Sequence, residues 1–159
     1  MLTTMTMQSP VGPLRLYARA EALVGVYMSE QEVPDAVPDR STRVLAAAQQ
    51  QLTEYFAGER TEFDLALAGA GTSFQQLVWR ALSTIPFGTT WTYGELARAI
   101  GRPSASRAVG AANSKNPLGI IVPCHRVIGA SGELTGYAGG MPAKKWLLAH
   151  EQGRARVAC

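Results

Sequence analysis

The sequence predicts two units in tandem: an α/β N-terminal domain over 1–70, a small antiparallel sheet plus one helix, and a mainly α C-terminal domain over 71–159. Three observations carry this. Residues 1–70 hold short apolar runs cut by glycine and proline, the pattern of short strands. From Thr72 onward the apolar spacing turns helical, and the helices open on threonine or serine. The halves also differ in charge. Residues 1–70 carry five basic and nine acidic side chains, whereas 71–159 carry ten basic and three acidic ones.

In the first unit, Met5 to Gln8, Leu14 to Ala18 and Leu23 to Met28 read as strands. Pro10, Gly12, Pro13 and the polar Arg19 to Glu21 separate them. Glu30 to Arg40, with four acids and two prolines, reads as a loop. Ser41 is placed to cap a helix running to about Ala57, with Leu45, Ala48, Leu52, Tyr55 and Phe56 on one side and Gly58 as its stop. Glu62 to Leu67 suggests a further strand, and Ala68 to Gly71 a linker. No reactive constellation occurs in this half, so its predicted role is that of a scaffold.

In the second unit, Thr72 and Gln75 form a capping box ahead of Phe74, Leu77, Val78, Ala81, Leu82 and Ile85, a core-facing set with Trp79 beside it. Pro86-Phe87-Gly88 ends that helix. Thr92 and Glu95 repeat the box around Tyr93, and Gly101 closes the short helix that follows. Ser104 is placed to cap another, from Ala105 to about Ser114. Two short helices joined by a glycine-containing turn predict a helix-turn-helix of winged-helix-like kind. Ala105, Ala108, Gly110, Ala111 and Ala112 are all small, while Arg107 is long and cationic. Such a surface suits close helix packing or close approach to a nucleic-acid groove. From Arg98 to Arg126 there are five cations and no carboxylate, which points to a polyanionic partner.

Lys115-Asn116-Pro117 turns the chain into an apolar run, Ile120 to Val122, that predicts a short buried strand stopped by Pro123. Beyond it stand Cys124, His125 and Arg126 in succession. A thiol, an imidazole and a guanidinium are costly to bury for folding alone, so this cluster calls for a chemical role. A cysteine attacks as the thiolate, and His125 and Arg126 are the candidates for lowering its pKa. Neighbours on a regular strand face opposite ways, so His125 reaches Cys124 only if the backbone turns there or a water bridges them. The plainer alternative is that Cys124 is a small buried hydrophobe. A glycine-rich stretch from Gly129 to Gly140 follows, with Tyr137 as its main large side chain. A last helix is predicted from Pro142 to about Gln152, stopped by Gly153, with Glu151 on its final turn.

Pro123-Cys124-His125-Arg126-Val127, with Asn116-Pro117 before it and Ser131-Gly132 and Gly136-Tyr137 after it, resembles the active-site signature of the O6-alkylguanine-DNA alkyltransferases. The likeness runs from about Phe74 to Glu151 and is loose in the first half. It implies a short active-site strand and direct reversal of DNA damage. An O6-alkylguanine, with O4-alkylthymine as a second candidate, is flipped from duplex DNA and its alkyl group moves irreversibly to Cys124. The reaction occurs once per protein and needs no cofactor. By the same resemblance His125 acts through water as base, Glu151 orients it, and Tyr93 rotates the phosphate and donates to guanine N3. Arg107 replaces the extruded base from the minor groove, with Gly110, Ala111, Lys115 and Arg126 as further DNA contacts. Tyr137, Asn113 and backbone groups at Cys124, Val127 and Ala138 form the pocket. Asn116 bridges the recognition helix and the active-site strand.

Composition bounds the rest. At 47% hydrophobic and 17% charged the chain reads as globular, not disordered. Met1 to Pro10 lacks the cationic start and apolar core of a signal peptide, and no run has membrane-spanning length, so a cytoplasmic location without membrane contact is expected. The expected state is a monomer, with cooperative loading on DNA left open. Cys124 and Cys159 are the only cysteines and His125 and His150 the only histidines, without metal-ligand spacing. The zinc that some alkyltransferases carry in their first domain has no ligand set here, since 1–70 contain neither Cys nor His. Two other classes fit part of the pattern. One is a non-catalytic helix-turn-helix binder of alkylated DNA, though in the alkyltransferase-like proteins of that kind the cysteine is replaced. The other is a turnover cysteine hydrolase.

Overall fold

The computed structural model describes residues 1–29, 31–39, 41–134 and 137–158, with 154–158 as backbone only. Thr135, Gly136 of the signature and Cys159 therefore lie outside the described residues.

Strands β1 (Leu2–Met7), β2 (Leu14–Arg19) and β3 (Ala22–Tyr27) form an antiparallel meander. β1 begins earlier than expected because Leu2 to Thr4, with two β-branched threonines, pair with Tyr17 to Arg19. Within the segment expected to be a loop, β4 (Val37–Pro38) pairs parallel with β1 at the edge, giving the order β3-β2-β1-β4 and a mixed sheet. Pro38 is tolerated there because an edge strand leaves one row of donors unused.

Helix α1 (Arg43–Phe56) covers the sheet with Leu45, Ala48, Leu52 and Tyr55, all fully buried. Ser41 does not cap it. Thr42 is the N-cap residue without a side-chain bond, and Ser41 bonds Asp39 instead. Glu62 to Leu67 is not a strand: only Leu67 bridges to Leu23, while the Gln51 side chain bonds both the N–H and the carbonyl of Asp64. A side chain there takes groups that a ladder would have used.

Helices α2 (Ser73–Leu82), α3 (Tyr93–Ala99) and α4 (Ser106–Ser114) pack on one another. Both capping boxes form, Thr72 with Gln75 and Thr92 with Glu95, each at 2.9 and 3.1 Å. Gly101, at φ +74°, closes α3, where the amides of Gly101 and Arg102 bond the carbonyls of Arg98 and Ala97. That double closure needs a left-handed residue, which glycine supplies without strain. α4 starts at Ser106, one residue later than expected, with Ala105 as an N-cap that makes no side-chain bond. Trp79, buried as predicted, donates from Nε1 to the carbonyl of Ala112 at 2.9 Å and pins α2 to α4.

The largest departure lies before Cys124. Ile120 to Val122 form no strand. Ile120 sits at φ +72°, a left-handed conformation costly for a β-branched residue, on the order of 1–3 kcal/mol. The backbone closes on itself, Val122 N–H to Leu118 O at 2.9 Å and Ile121 N–H to Gly119 O at 2.8 Å. The strand comes after the cysteine: β6 (Val127–Ile128) runs parallel to β5 (Trp91–Thr92). The N-terminal sheet buttresses this segment, since Val26 N–H bonds Pro117 O at 2.8 Å beside a Val26–Leu118 bridge.

Helix α5 (Met141–Ala158) runs past Gly153. Gly153 costs only about 1 kcal/mol in a helix interior, and good helix formers follow it. Among the described residues no helix is long and apolar enough to cross a membrane.

Candidate active site

Pro123, at φ −82° and ψ 63°, breaks the extended path, and Cys124–Arg126 forms one turn of 3-10 helix. This is the turn that the proline predicted, and it lets consecutive residues serve one site. Asn116 anchors it: Nδ2 donates to Val122 O at 2.8 Å, and Oδ1 accepts from Leu118 N–H at 3.0 Å. From α4, Asn113 Nδ2 reaches Cys124 O at 3.4 Å. Asn116 thus holds the turn within 116–122, and the tie from α4 is made by Asn113.

Cys124 is 5% exposed, and burial pushes its thiol pKa up. Opposing that rise are a hydrogen bond from the Asn116 side chain and the charge of Lys144. Of the expected helpers, Arg126 is committed to Glu151, whereas His125 bonds Glu151 through Nε2 alone and keeps Nδ1 on the other side of the ring.

Glu151 organises a buried cluster. Its Oε1 accepts from Arg126 Nε at 2.8 Å, and its Oε2 from Arg126 Nη2 at 3.0 Å, His125 Nε2 at 2.8 Å and Tyr55 Oη at 2.6 Å. Burial alone would raise the carboxyl pKa, but His125 and Arg126 outweigh it and hold the group far below the usual range. An ionised carboxylate only accepts, so the proton of a neutral His125 sits on Nε2 and the free lone pair on Nδ1. Burial lowers the His125 pKa despite Glu151, which keeps the ring neutral near pH 7. Among the described residues, Nδ1, Asn113 Oδ1 and Tyr137 Oη are buried polar atoms with no partner.

Glu151 lies mid-helix because α5 continues to Ala158, so its stabilisation comes from these donors and not from a helix end. Arg126 was expected on DNA. It is 6% exposed, donates from Nη1 to Ile85 O at 2.6 Å, and stacks over Phe87 with Cζ 5.7 Å from the ring centre. It holds Glu151 and does not face solvent.

Tyr93 opens α3, and its ring lies beside Gly110 of α4, where an added Cβ would sit 3.7 Å away. Arg107, Ala108, Ala111 and Lys115 are exposed along the same helix pair, while Val109, Ala112 and Asn113 face inward. The small residues thus divide between a packed face and an open one flanked by cations. Tyr137 is half-buried near Cys124, and Ala138 is exposed. Gly139 allows this placement, since a Cβ there would collide with Met28 Sδ and lie 2.8 Å from the Tyr137 ring. Val127 O already receives Lys144 Nζ at 2.6 Å and keeps a second lone pair.

The model of the 6-O-methylguanine DNA methyltransferase DNA-binding domain matches residues 73–153, and that of the family's ribonuclease-like domain matches 2–68. The chain belongs to this family. Over 154 residues it is 53% identical to the methylated-DNA–protein-cysteine methyltransferase of Mycobacterium tuberculosis strain H37Rv, covering 94% of this chain and 92% of that one. The Methanosarcina acetivorans protein of the same name is 51% identical over 144 residues, covering 89% and 92%. A crystal structure of Mycobacterium tuberculosis OGT in complex with DNA superposes with a TM-score of 0.91 at 52% identity, covering 96% and 94%.

Within this methyltransferase fold, sequence reasoning missed two site residues. Lys144 is fully buried, which lowers its pKa, and its charge reaches Cys124. Its signal was available: Lys144, Leu147 and Glu151 fall at i, i+3 and i+7 of one helix face. Tyr55 was read only as core, and nothing in its local pattern marks the partner 96 residues away.

Proposed function

We propose that this protein repairs DNA by flipping an O6-alkylguanine out of the duplex and moving its alkyl group to Cys124, once per molecule. One observation carries this reading: a buried thiol shares a 3-10 turn with an imidazole held neutral by burial and fixed through Nε2 to Glu151. His125 Nδ1, directly or through one water, takes the thiol proton as sulfur attacks the alkyl carbon. The carbon–oxygen bond breaks, its electron pair passes to the purine, and the proton returns to the departing guanine. The thioether has no activated leaving group, so the thiol is not restored and no cofactor is needed. O4-alkylthymine is proposed as a second substrate.

DNA is the partner, and double-stranded DNA carrying the lesion is the proposed form. A raised thiol pKa suits a site activated only when substrate is seated. Asn113 Oδ1 and Tyr137 Oη find no partner among the described residues and face the cost of burial unless a base edge meets them. Tyr137 lines the pocket with backbone groups of Cys124, Val127 and Ala138. Tyr93 turns the phosphate and supports the leaving purine. Arg107, exposed on α4, fills the emptied stack, with Gly110, Ala111 and Lys115 along the groove. The functional division at 70/71, a monomeric state and a cytoplasmic location complete the proposal.

The test is to incubate the full chain with O6-methylguanine duplex and weigh it. One added methyl per molecule, on Cys124, is expected. Binding without an adduct would favour a lesion-recognising binder instead. Arg107→Ala should slow repair of duplex by about tenfold or more, the scale of a few kcal/mol for base extrusion, while reaction with free O6-methylguanine stays close to wild type. Equal slowing on both substrates would remove Arg107 from the flipping step.

A further inference from the structure

We propose that the Tyr55 hydroxyl, reaching from the N-terminal helix α1 to Glu151, is a positioning residue that sets the basicity of His125. The inference rests on the transfer reading above and assigns the N-terminal domain a part in the chemistry.

The geometry points one way. Tyr55 lies in the last turn of α1 and is fully buried. Its ring packs against Phe56, Phe63, Phe87 and His150 at centroid distances of 5.1–6.2 Å. A phenylalanine would serve that packing equally well. The hydroxyl is costly to bury unless bonded, and it sits 2.6 Å from Glu151 Oε2. Helix α5 grips the same residue a second time, His150 Nε2 donating to Tyr55 O at 2.7 Å.

The two carboxylate oxygens are unequally loaded. Oε1 takes one donor, whereas Oε2 takes Arg126, His125 and Tyr55. Donors on one oxygen draw on the same electron density, so the Tyr55 bond weakens the pull of Oε2 on His125 Nε2–H. A weaker pull makes the imidazolium less stable and the ring less basic. Burial raises the Tyr55 pKa, and Glu151 raises it further, so the hydroxyl donates throughout the working range. Among the described residues, the titratable and charged groups around His125 are its neighbours Cys124 and Arg126, with Glu151 and Lys144 from α5. Tyr137 comes from the preceding loop, and Tyr55 comes from α1 through Glu151. Tyr55 is the one that the N-terminal domain contributes.

The experiment compares wild type, Tyr55→Phe and Leu52→Val, a core change in α1 away from the cluster. Transfer from O6-methylguanine duplex is timed between about pH 5 and 9, and the His125 imidazole is titrated by NMR. Tyr55→Phe should move both the acid limb and the His125 titration upward by about half to one pH unit. Leu52→Val should lower the melting temperature without moving either. Site-specific fluorotyrosine at position 55, a stronger donor, should move both downward and serves if Tyr55→Phe does not fold. An unmoved titration overturns the proposal, even if Tyr55→Phe slows transfer uniformly. An equal shift in Leu52→Val does the same, by assigning the effect to a loosened domain. If wild type transfers no methyl, the transfer reading falls while the NMR titration still decides the role of Tyr55.

Discussion

Glu151→Ala should lower stability by roughly 3–5 kcal/mol, because it leaves the Arg126 guanidinium buried without its counter-charge. For a chain of this size that corresponds to a fall in melting temperature of about 10 °C. Arg126 keeps only Ile85 O and the Phe87 ring, and the hydroxyl of Tyr55 loses its acceptor. The pH dependence distinguishes this cluster from ordinary core damage. Glu151 and His125 both have depressed folded pKa values, so the unfolded chain binds more protons and stability rises with pH. Their contribution is complete above the unfolded histidine value of 6.5. It declines as pH falls through that value, and further below the unfolded glutamate value of 4.5. In Glu151→Ala the loss below pH 4.5 should flatten, as calorimetry across pH 3–7 would reveal. A variant that melts within about 3 °C of wild type, with the same acid slope, would show that the cluster contributes nothing net.

Features governed by neighbours in sequence were legible before any fold was known. The two capping boxes, the Gly101 stop and the turn at Pro123 each depend on residues within five positions of one another. Cys124 and His125 stood out as adjacent reactive groups, while Glu151 was singled out only through the family resemblance. What could not be read was set by distant partners. Ile120 to Val122 look like a strand because their side chains suit one, but the Asn116 side chain and the neighbouring carbonyls take their backbone groups. Arg126 looked like a DNA contact because cations are usually solvated. Its burial follows from a carboxylate 25 residues later. Tyr55 joins the site only because the domains dock. The count of five cations from Arg98 to Arg126 therefore overstated the exposed cationic face by one charge.

Cys124→Ser is expected to cut methyl transfer by on the order of 10⁴-fold or more, since it replaces the thiol proposed to accept the alkyl group. A hydroxyl in this setting is a far weaker acid than a thiol, and burial, which already raises the thiol, opposes ionisation further. DNA binding should survive, because the exposed cations Arg107 and Lys115 do not depend on the sulfur. The same variant separates the thiol from every other group in the alkaline limb of stability. A thiol whose folded pKa is raised favours folding below its ordinary value of 9.0, and loses that advantage as pH climbs past it. Serine does not titrate there. Relative to Cys124→Ser, wild type should thus lose melting temperature progressively above pH 9, while the difference between them stays constant from pH 6 to 8. Lys144, Tyr55 and Tyr137 titrate in both proteins, so their effects largely cancel in that comparison. Parallel melting curves up to pH 11 would mean that the sulfur is not held protonated by its surroundings. The thiol would then need no help from a seated substrate or from His125 to become reactive.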